Sequence, residues 1–236
     1  MTRRVFISDL HLEDVESPNF QRFQELIQKE SDRVDEIFIL GDLMEMWVGD
    51  DDDADIAIAL AEVIRGANCP FFIMHGNRDF LFGGEFSSAT GAIIVPDPYL
   101  TSDGVLLSHG DALCTDDQEY QQVRALFRSE AWQQDLLSKS LAERKALGQS
   151  IRAQSRAANA NKAANIMDIN AAALELLLSE HKTHTFIHGH THRPGIHPIN
   201  DVMRYVLGAW EHCGWLVHQH DQDFQLASFG LSKPYD

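Results

Sequence analysis

The chain has 236 residues, 44% of them hydrophobic, and a formal net charge of −17. That length can bury the core of one sizeable α/β domain, the acidic balance argues against a nucleic-acid backbone as partner, and no apolar run approaches the ~20 residues of a membrane span. Cys69, Cys114 and Cys213 are too few and too scattered for a disulfide framework or a thiolate zinc site, and Met1-Thr2-Arg3-Arg4 runs into the first strand without a signal-peptide core, so a reduced, cytoplasmic protein is expected.

Short apolar runs at 5–7 and 37–40 read as strands. Between them Ser17-Pro18 forms a helix start, with Phe20, Phe23 and Ile27 on one face. A second helix covers 54–65, a strand follows at 71–74, then a short element near 93–95 and a strand at 105–107. From Tyr120 to about Asn165 the pattern is helical throughout, and 171–180 makes one more helix. Strands return at 185–187, 205–207, 215–218 and 224–229, with Trp210 and Trp215 as core residues. Strand and helix in alternation, then strands alone, suggest a sheet-on-sheet core flanked by helices. The expectation is one domain over 1–236, with a helical insert at 120–165 standing on one edge.

Five of the strands end in residues able to bind a cation: Asp9-Leu10-His11, Gly41-Asp42, Gly76-Asn77-Arg78-Asp79, Ser108-His109-Gly110-Asp111 and Gly189-His190-Thr191-His192. The C-terminal edge of an open α/β sheet is where sites form, because the loops beyond it are free to carry chemistry. Carboxylate, imidazole and amide donors without thiolate suit Mn²⁺, with Fe²⁺, Co²⁺ and Mg²⁺ also compatible. Seven candidates (Asp9, His11, Asp42, Asn77, His109, His190 and His192) are too many for one catalytic ion. They fit two ions about 3.5 to 4 Å apart that share a carboxylate, and Asp42, the lone acid after a strand and a glycine, is the natural bridge. A single D-x-H or H-x-H is weak in a chain with 12 histidines; the ordered set is what carries the reading.

In this order D-x-H, GD, GN-x-D, H and GH-x-H resemble the calcineurin-like metallophosphoesterases over the whole chain. That resemblance implies an α/β sandwich of two β-sheets flanked by helices, with a helical lid insert. Within it, GNRDF (Arg78 where the general pattern has His), LGDLMEMWVGDD, HGDALCTDD, RAQSRAANANKAANIMDIN and HGHTHRP followed by VLGAW are similar to the UDP-2,3-diacylglucosamine pyrophosphohydrolases of the lipid A pathway. The resemblance implies cleavage of that nucleotide lipid to UMP and 2,3-diacylglucosamine 1-phosphate (lipid X) by a hydroxide activated by two Mn²⁺. It assigns the first ion to Asp9, His11, Asp42 and His192, and the second to Asp42, Asn77, His109 and His190. Asn77, Arg78 and His190 become catalytic, and substrate contacts carry over to Asn77, Arg78, Asp117, Ser155, Asn159, Lys162 and His190. It also implies a peripheral enzyme on the cytoplasmic face of the inner membrane, with no nucleic acid and no protein partner.

Arg78 is expected to grip phosphate oxygens with a fixed fork, and Asp79 to orient it. The insert carries eight Lys/Arg against three acids, so on an acidic body it is the expected place of attraction for an anionic substrate or membrane, with Arg144 and Lys145 as exposed charges. Its apolar residues, among them Leu126, Phe127, Trp132, Leu136, Leu137, Leu141, Leu147 and Ile151, either line a groove for acyl chains or pack the insert on the core. Asp50 to Asp53 reads as a solvated loop. The alternatives are another two-metal phosphoesterase, from which Arg78 and the set Ser155, Asn159, Lys162 separate this chain, and an inactive scaffold, which should lack ligands.

Overall fold

The computed structural model describes residues 1–159 and 166–235. One sheet has β1 (Arg3–Ile7), β2 (Glu36–Leu40), β3 (Phe71–Met74) and β4 (Ile93–Val95) in parallel, extended beyond β1 by the antiparallel β10 (Cys213–His220) and β11 (Asp223–Gly230). The other runs in the order β5 (Tyr99–Leu100), β6 (Val105–Ser108), β7 (Thr185–His188), β9 (Val202–Val206), β8 (Gly195–Ile199), its middle three strands parallel. Side chains alternate across a strand. Phe6, Phe38, Leu40 and Met74 therefore meet Leu107, Ile187 and Tyr205 between the sheets, while Val5, Ile7, Ile37 and Ile39 face α1 (Pro18–Glu30) and α2 (Asp55–Arg65). On the far side Leu106 and Phe186 pack on Leu174 and Leu178 of α7 (Ala171–His181). Strands buried on both faces have no polar face to show, which is why they stand in the sequence as unbroken apolar runs.

Helix α1 starts as expected: the Ser17 side chain accepts from the Phe20 amide, and Pro18 occupies a position that needs no donor. Two strands and one α-helix escaped the sequence reading. β8 contains Pro198, which is tolerated only because β8 is an edge strand, while β5 has two residues. Helix α3 (Gly84–Thr90) is too short for a periodic pattern and stops at Gly91, whose φ is +77°. Trp210 is fully buried, whereas Trp215 is half-buried against the core between the sheets.

The helical stretch after β6 divides into α4 (Gln118–Phe127), α5 (Glu130–Leu137) and α6 (Leu141–Asn159). Each start is capped: Asp117 accepts from Tyr120, Ser129 from Trp132, and Ser140 with Glu143 forms a reciprocal box. Of the insert's apolar residues Leu136 is buried in the core, whereas Leu126, Leu137 and Leu147 are exposed.

Two expectations about charge are corrected. Arg144 is 3% exposed, not a surface charge. Its guanidinium holds both Asp51 oxygens, the Val48 carbonyl (2.7 Å) and the Lys139 carbonyl (3.2 Å), while Lys145 pairs with Asp52 at 2.7 Å. Nor is the Asp50 to Asp53 run a plain solvated loop. Asp50 accepts from Trp47 Nε1 (3.1 Å) and from the amides of Gly83 (3.0 Å) and Phe86 (2.9 Å), fixing the start of α3. A charge run is usually solvated; here the partner of Asp51 lies 93 residues away, beyond any local pattern.

Arg144→Glu should therefore destabilise the docked insert by about 3 kcal/mol, since it sets a carboxylate against Asp51 and strips the Val48 carbonyl of its donor. Lys145→Glu, at a one-third exposed position, should stay within about 1 kcal/mol. Native-state hydrogen exchange over 118–159 measures both, and equal small losses would contradict the anchoring role.

Candidate metal centre

The loops after β1, β2, β3, β6 and β7 bring the seven candidate ligands to one edge, with both sheets contributing. The backbone there is unusual. Among the described residues eight non-glycine positions have positive φ, and five are candidates: Asp9 (55°), His11 (52°), Asp42 (51°), His190 (64°) and His192 (54°). Such a conformation costs an L-residue about 1–2 kcal/mol and persists only where the surroundings enforce it. Cross-loop hydrogen bonds do so here, from the Asp9 amide to Gly41 O (3.1 Å), the His11 amide to Asp42 O (3.1 Å) and the Gly189 amide to His109 O (3.0 Å). Two glycines allow the approach: a Cβ on Gly76 would lie 2.1 Å from Asp42 Oδ1, and one on Gly189 2.3 Å from Asp9 Oδ2.

Ligand atoms of Asp9, His11 and His192 all lie within 4.8 Å of one another, as do those of Asp9, Asp42 and His109. Asn77 Oδ1 stands 3.1 Å from His109 Nε2 and 2.9 Å from His190 Nδ1. Because His109 Nδ1 faces the Leu40 carbonyl at 2.8 Å, it must carry the proton, and Nε2 is free to offer its lone pair to the cluster. Burial alone would lower the His109 pKa, but Asp42, Asp111 and Asp9 outweigh it and raise it to about 9, a second proton that a cation among these donors would displace. The same burial, with His109 beside it, lowers His190 to about 4, so its ring is neutral.

Both ring nitrogens of His11 and Asp9 Oδ1 are buried without a hydrogen-bond partner. Buried polar atoms are rarely left so. Orphaned lone pairs in an oxygen-and-imidazole cluster are what a borderline-hard divalent cation satisfies, and the donor set fits such a group.

The residues around the cluster differ in part from expectation. Asp79 does not orient the Arg78 side chain. Fully buried, it accepts from the amides of Leu43 (2.7 Å), Gly76 (2.8 Å), Asp42 and Met44 (both 3.3 Å), joining the loops after β2 and β3; burial and the Asp42 charge push it up to about 7. Arg78 itself donates from its amide to Asp42 Oδ1 (2.9 Å) and lays its guanidinium on Asp42 and Glu45. Asp117 and Ser155 line the same cleft of about 210 Å³ as Asn77, Arg78 and His190. Asn159 closes α6, and its side chain and all of Lys162 lie outside the described residues.

Three participants went unnoticed in the sequence. Glu45 interrupts the apolar run Leu43-Met44-Glu45-Met46-Trp47, a lone charge whose setting was its signal. Arg152 stands three residues before Ser155 on the same helical face and enters the cleft with it. Tyr120 donates to the buried Asp111 (2.8 Å), which Arg124 also holds (2.7 Å), and its ring lies 5.7 Å from that of His190.

Asp42→Asn keeps an oxygen for the Arg78 amide but removes the charge between the two groups of donors. Metal analysis should find fewer than two ions per chain in this variant and no turnover. In wild type, Mn²⁺ at 100 times its Kd should add about 2.7 kcal/mol, a Tm rise of about 5–10 °C, and this should largely vanish in the variant. Two retained ions with an undiminished Tm shift would contradict the bridge.

The sequence pattern of the calcineurin-like phosphoesterases matches residues 2–194. The UDP-2,3-diacylglucosamine hydrolase of Chromohalobacter salexigens is 40% identical over 228 residues, covering 92% of this chain and 93% of its own. That of Aromatoleum aromaticum is 45% identical, covering 87% and 88%, and that of Salmonella agona 39%, covering 96% and 99%. Among solved structures a novel archaeal phosphodiesterase superposes with a TM-score of 0.53 at 13% identity, over 97% of this chain and 100% of its own. GAP50, the anchor in the inner membrane complex of Plasmodium, gives 0.51 at 12%, over 99% and 86%. These two share the fold alone, and one fold carries many functions. The motif order, the clustered donors and the full-length relatives together make this chain a member of the calcineurin-like phosphoesterase family, on the branch of the UDP-2,3-diacylglucosamine hydrolases.

Proposed function

We propose that the chain hydrolyses the pyrophosphate bond of UDP-2,3-diacylglucosamine to UMP and 2,3-diacylglucosamine 1-phosphate, as one catalytic domain over 1–236 with the insert of 120–165 beside the site. The observation that carries this reading is a shared wall. Asn77, Arg78 and Arg152 line both the polar cleft at the candidate ligands and an adjoining apolar one walled by Trp47, Phe80, Phe127, Trp132, Leu147 and Ile151. Two guanidiniums and an amide at the border of a polar and an apolar cavity suit phosphate joined to acyl chains.

In this proposal Asp9, His11, Asp42 and His192 hold one Mn²⁺, and Asp42, Asn77, His109 and His190 the other. Bound there, such a pair lowers the pKa of a water and neutralises charge on the phosphoryl group. The chain's own groups do the rest. Arg78 and Arg152 present planar forks to the nonbridging oxygens and fix the diphosphate in line. Asp117 and Ser155, with Asn159 and Lys162, supply polar contacts to the sugar and its phosphate. His190, neutral because it is buried beside His109, offers a lone pair on one ring nitrogen and has no imidazolium proton to give as an acid at neutral pH. A sugar phosphate leaves without one, so the absence of an acid in that role is tolerable.

Contact with a lipid surface on the cytoplasmic side of the inner membrane belongs to the same proposal, supported by the exposed Val123, Leu126, Leu137 and Leu147 of the insert. Among the described residues no helix is long and apolar enough to cross a membrane. The insert's cations support such contact less than its composition suggested, because Arg124, Arg144, Lys145 and Arg152 are paired with acids of the body.

Purified protein with Mn²⁺ should release UMP from the nucleotide lipid; release of p-nitrophenol from bis-p-nitrophenyl phosphate without any UMP would point to a different diester substrate. Arg78→His should lower kcat/KM for the lipid by about 10- to 100-fold, the worth of a charged bidentate contact, while hydrolysis of the bis-ester stays within about threefold. Equal losses on both substrates would contradict a role for Arg78 in holding the diphosphate.

A further inference from the structure

Glu45 is the acidic centre of a group of arginines drawn from separate parts of the molecule. Its Oε2 takes Nη1 of Arg78, from the loop after β3. Its Oε1 accepts from Nε (3.1 Å) and Nη2 (2.7 Å) of Arg152 on α6, and Arg156 Nη1 lies 3.7 Å away. The carboxylate is 17% exposed, so these attractions are only partly screened by water. Arg78 and Arg152 would repel each other at this separation, and the shared carboxylate compensates both. Asp42 also touches Arg78, with Nε 3.2 Å from its Oδ2, but Asp42 is the residue proposed to bridge two cations. That leaves Glu45 as the acid whose oxygens serve the arginines.

We infer that Glu45 is a positioning residue, which holds Arg78 and Arg152 side by side so that a diphosphate meets both guanidiniums at once. The inference rests on the function proposed above and adds how its phosphate-binding groups are aligned before substrate arrives. Two other roles compete. His11 Nδ1 lies 3.7 Å from Oε2, so Glu45 could act on the metal centre, and as a partner of α6 it could anchor the insert. The insert, however, has anchors of its own in Arg144 on Asp51, Lys145 on Asp52 and Arg124 on Asp111.

The test uses Glu45→Ala and the isosteric Glu45→Gln in the Mn²⁺-loaded protein, each also combined with Arg78→Ala and Arg152→Ala. Both variants should lower kcat/KM for the nucleotide lipid by about tenfold or more, leave bis-p-nitrophenyl phosphate hydrolysis within about threefold, and change activity less than about twofold once both arginines are gone. With Mn²⁺ in excess, UDP should inhibit wild-type hydrolysis of the bis-ester at least about tenfold more strongly than that of the variants, an arm that needs no turnover of lipid. Metal content should stay at the wild-type value, and amide exchange over 141–159 should not change. Equal losses on both substrates, or a fall in metal content, would mean that Glu45 acts through His11. An undiminished loss in the double-arginine background, unaltered inhibition by UDP, or faster exchange over 141–159 would each overturn the positioning role. A wild-type protein that fails to release UMP while UDP discriminates wild type from variant would overturn the proposed substrate and leave Glu45 in its role.

Discussion

Buried negative charge is the constraint on which the site depends. Asp9, Asp42, Asp79 and Asp111 are each at most 1% exposed, all at one edge of the two sheets. Such a group is tolerable only if every carboxylate is compensated. Asp79 is compensated by four backbone amides, Asp111 by Tyr120 and Arg124, and Asp42 in part by Arg78. Asp9 lies 3.4 Å from His192, its other oxygen taking the His190 amide and the Ser8 hydroxyl. Compensation is complete at Asp79 and partial elsewhere: Asp111 Oδ1 has no hydrogen-bond partner, and in the cleft the orphaned atoms of Asp9 and His11 point to cations.

The same constraint explains the insert. Its basic composition on an acidic body first suggested a free surface for attracting anions. In the fold those cations meet Asp51, Asp52 and Asp111, so the charge difference between insert and body docks the one on the other. Arg152 serves the site instead, bringing a guanidinium to the border between polar and apolar cavities, where Glu45 holds it. Reversing such charges perturbs packing as well as any long-range field.

Much of this was legible in the sequence because it is local. Each candidate ligand sits within a few residues of an apolar run, Ser17-Pro18 starts a helix, and both sheets follow from strands buried on two faces. What could not be read depends on contacts between distant segments. Asp79 beside Arg78 looked like its orienter, whereas three of its four partners are amides of a loop some 36 residues earlier. Arg144 looked exposed because a helix pattern cannot reveal a carboxylate 93 residues away. Edge strand β8 was hidden by Pro198, whose lost hydrogen bond matters only if strands pair on both sides.

Anomalous diffraction from crystals grown with Mn²⁺ tests the central claim most directly, since it locates ions independently of turnover. The account expects two peaks about 3.5 to 4 Å apart, one against Asp9, His11 and His192, the other against Asn77, His109 and His190, with Asp42 touching both. A single peak, or a pair that Asp42 does not join, would contradict it.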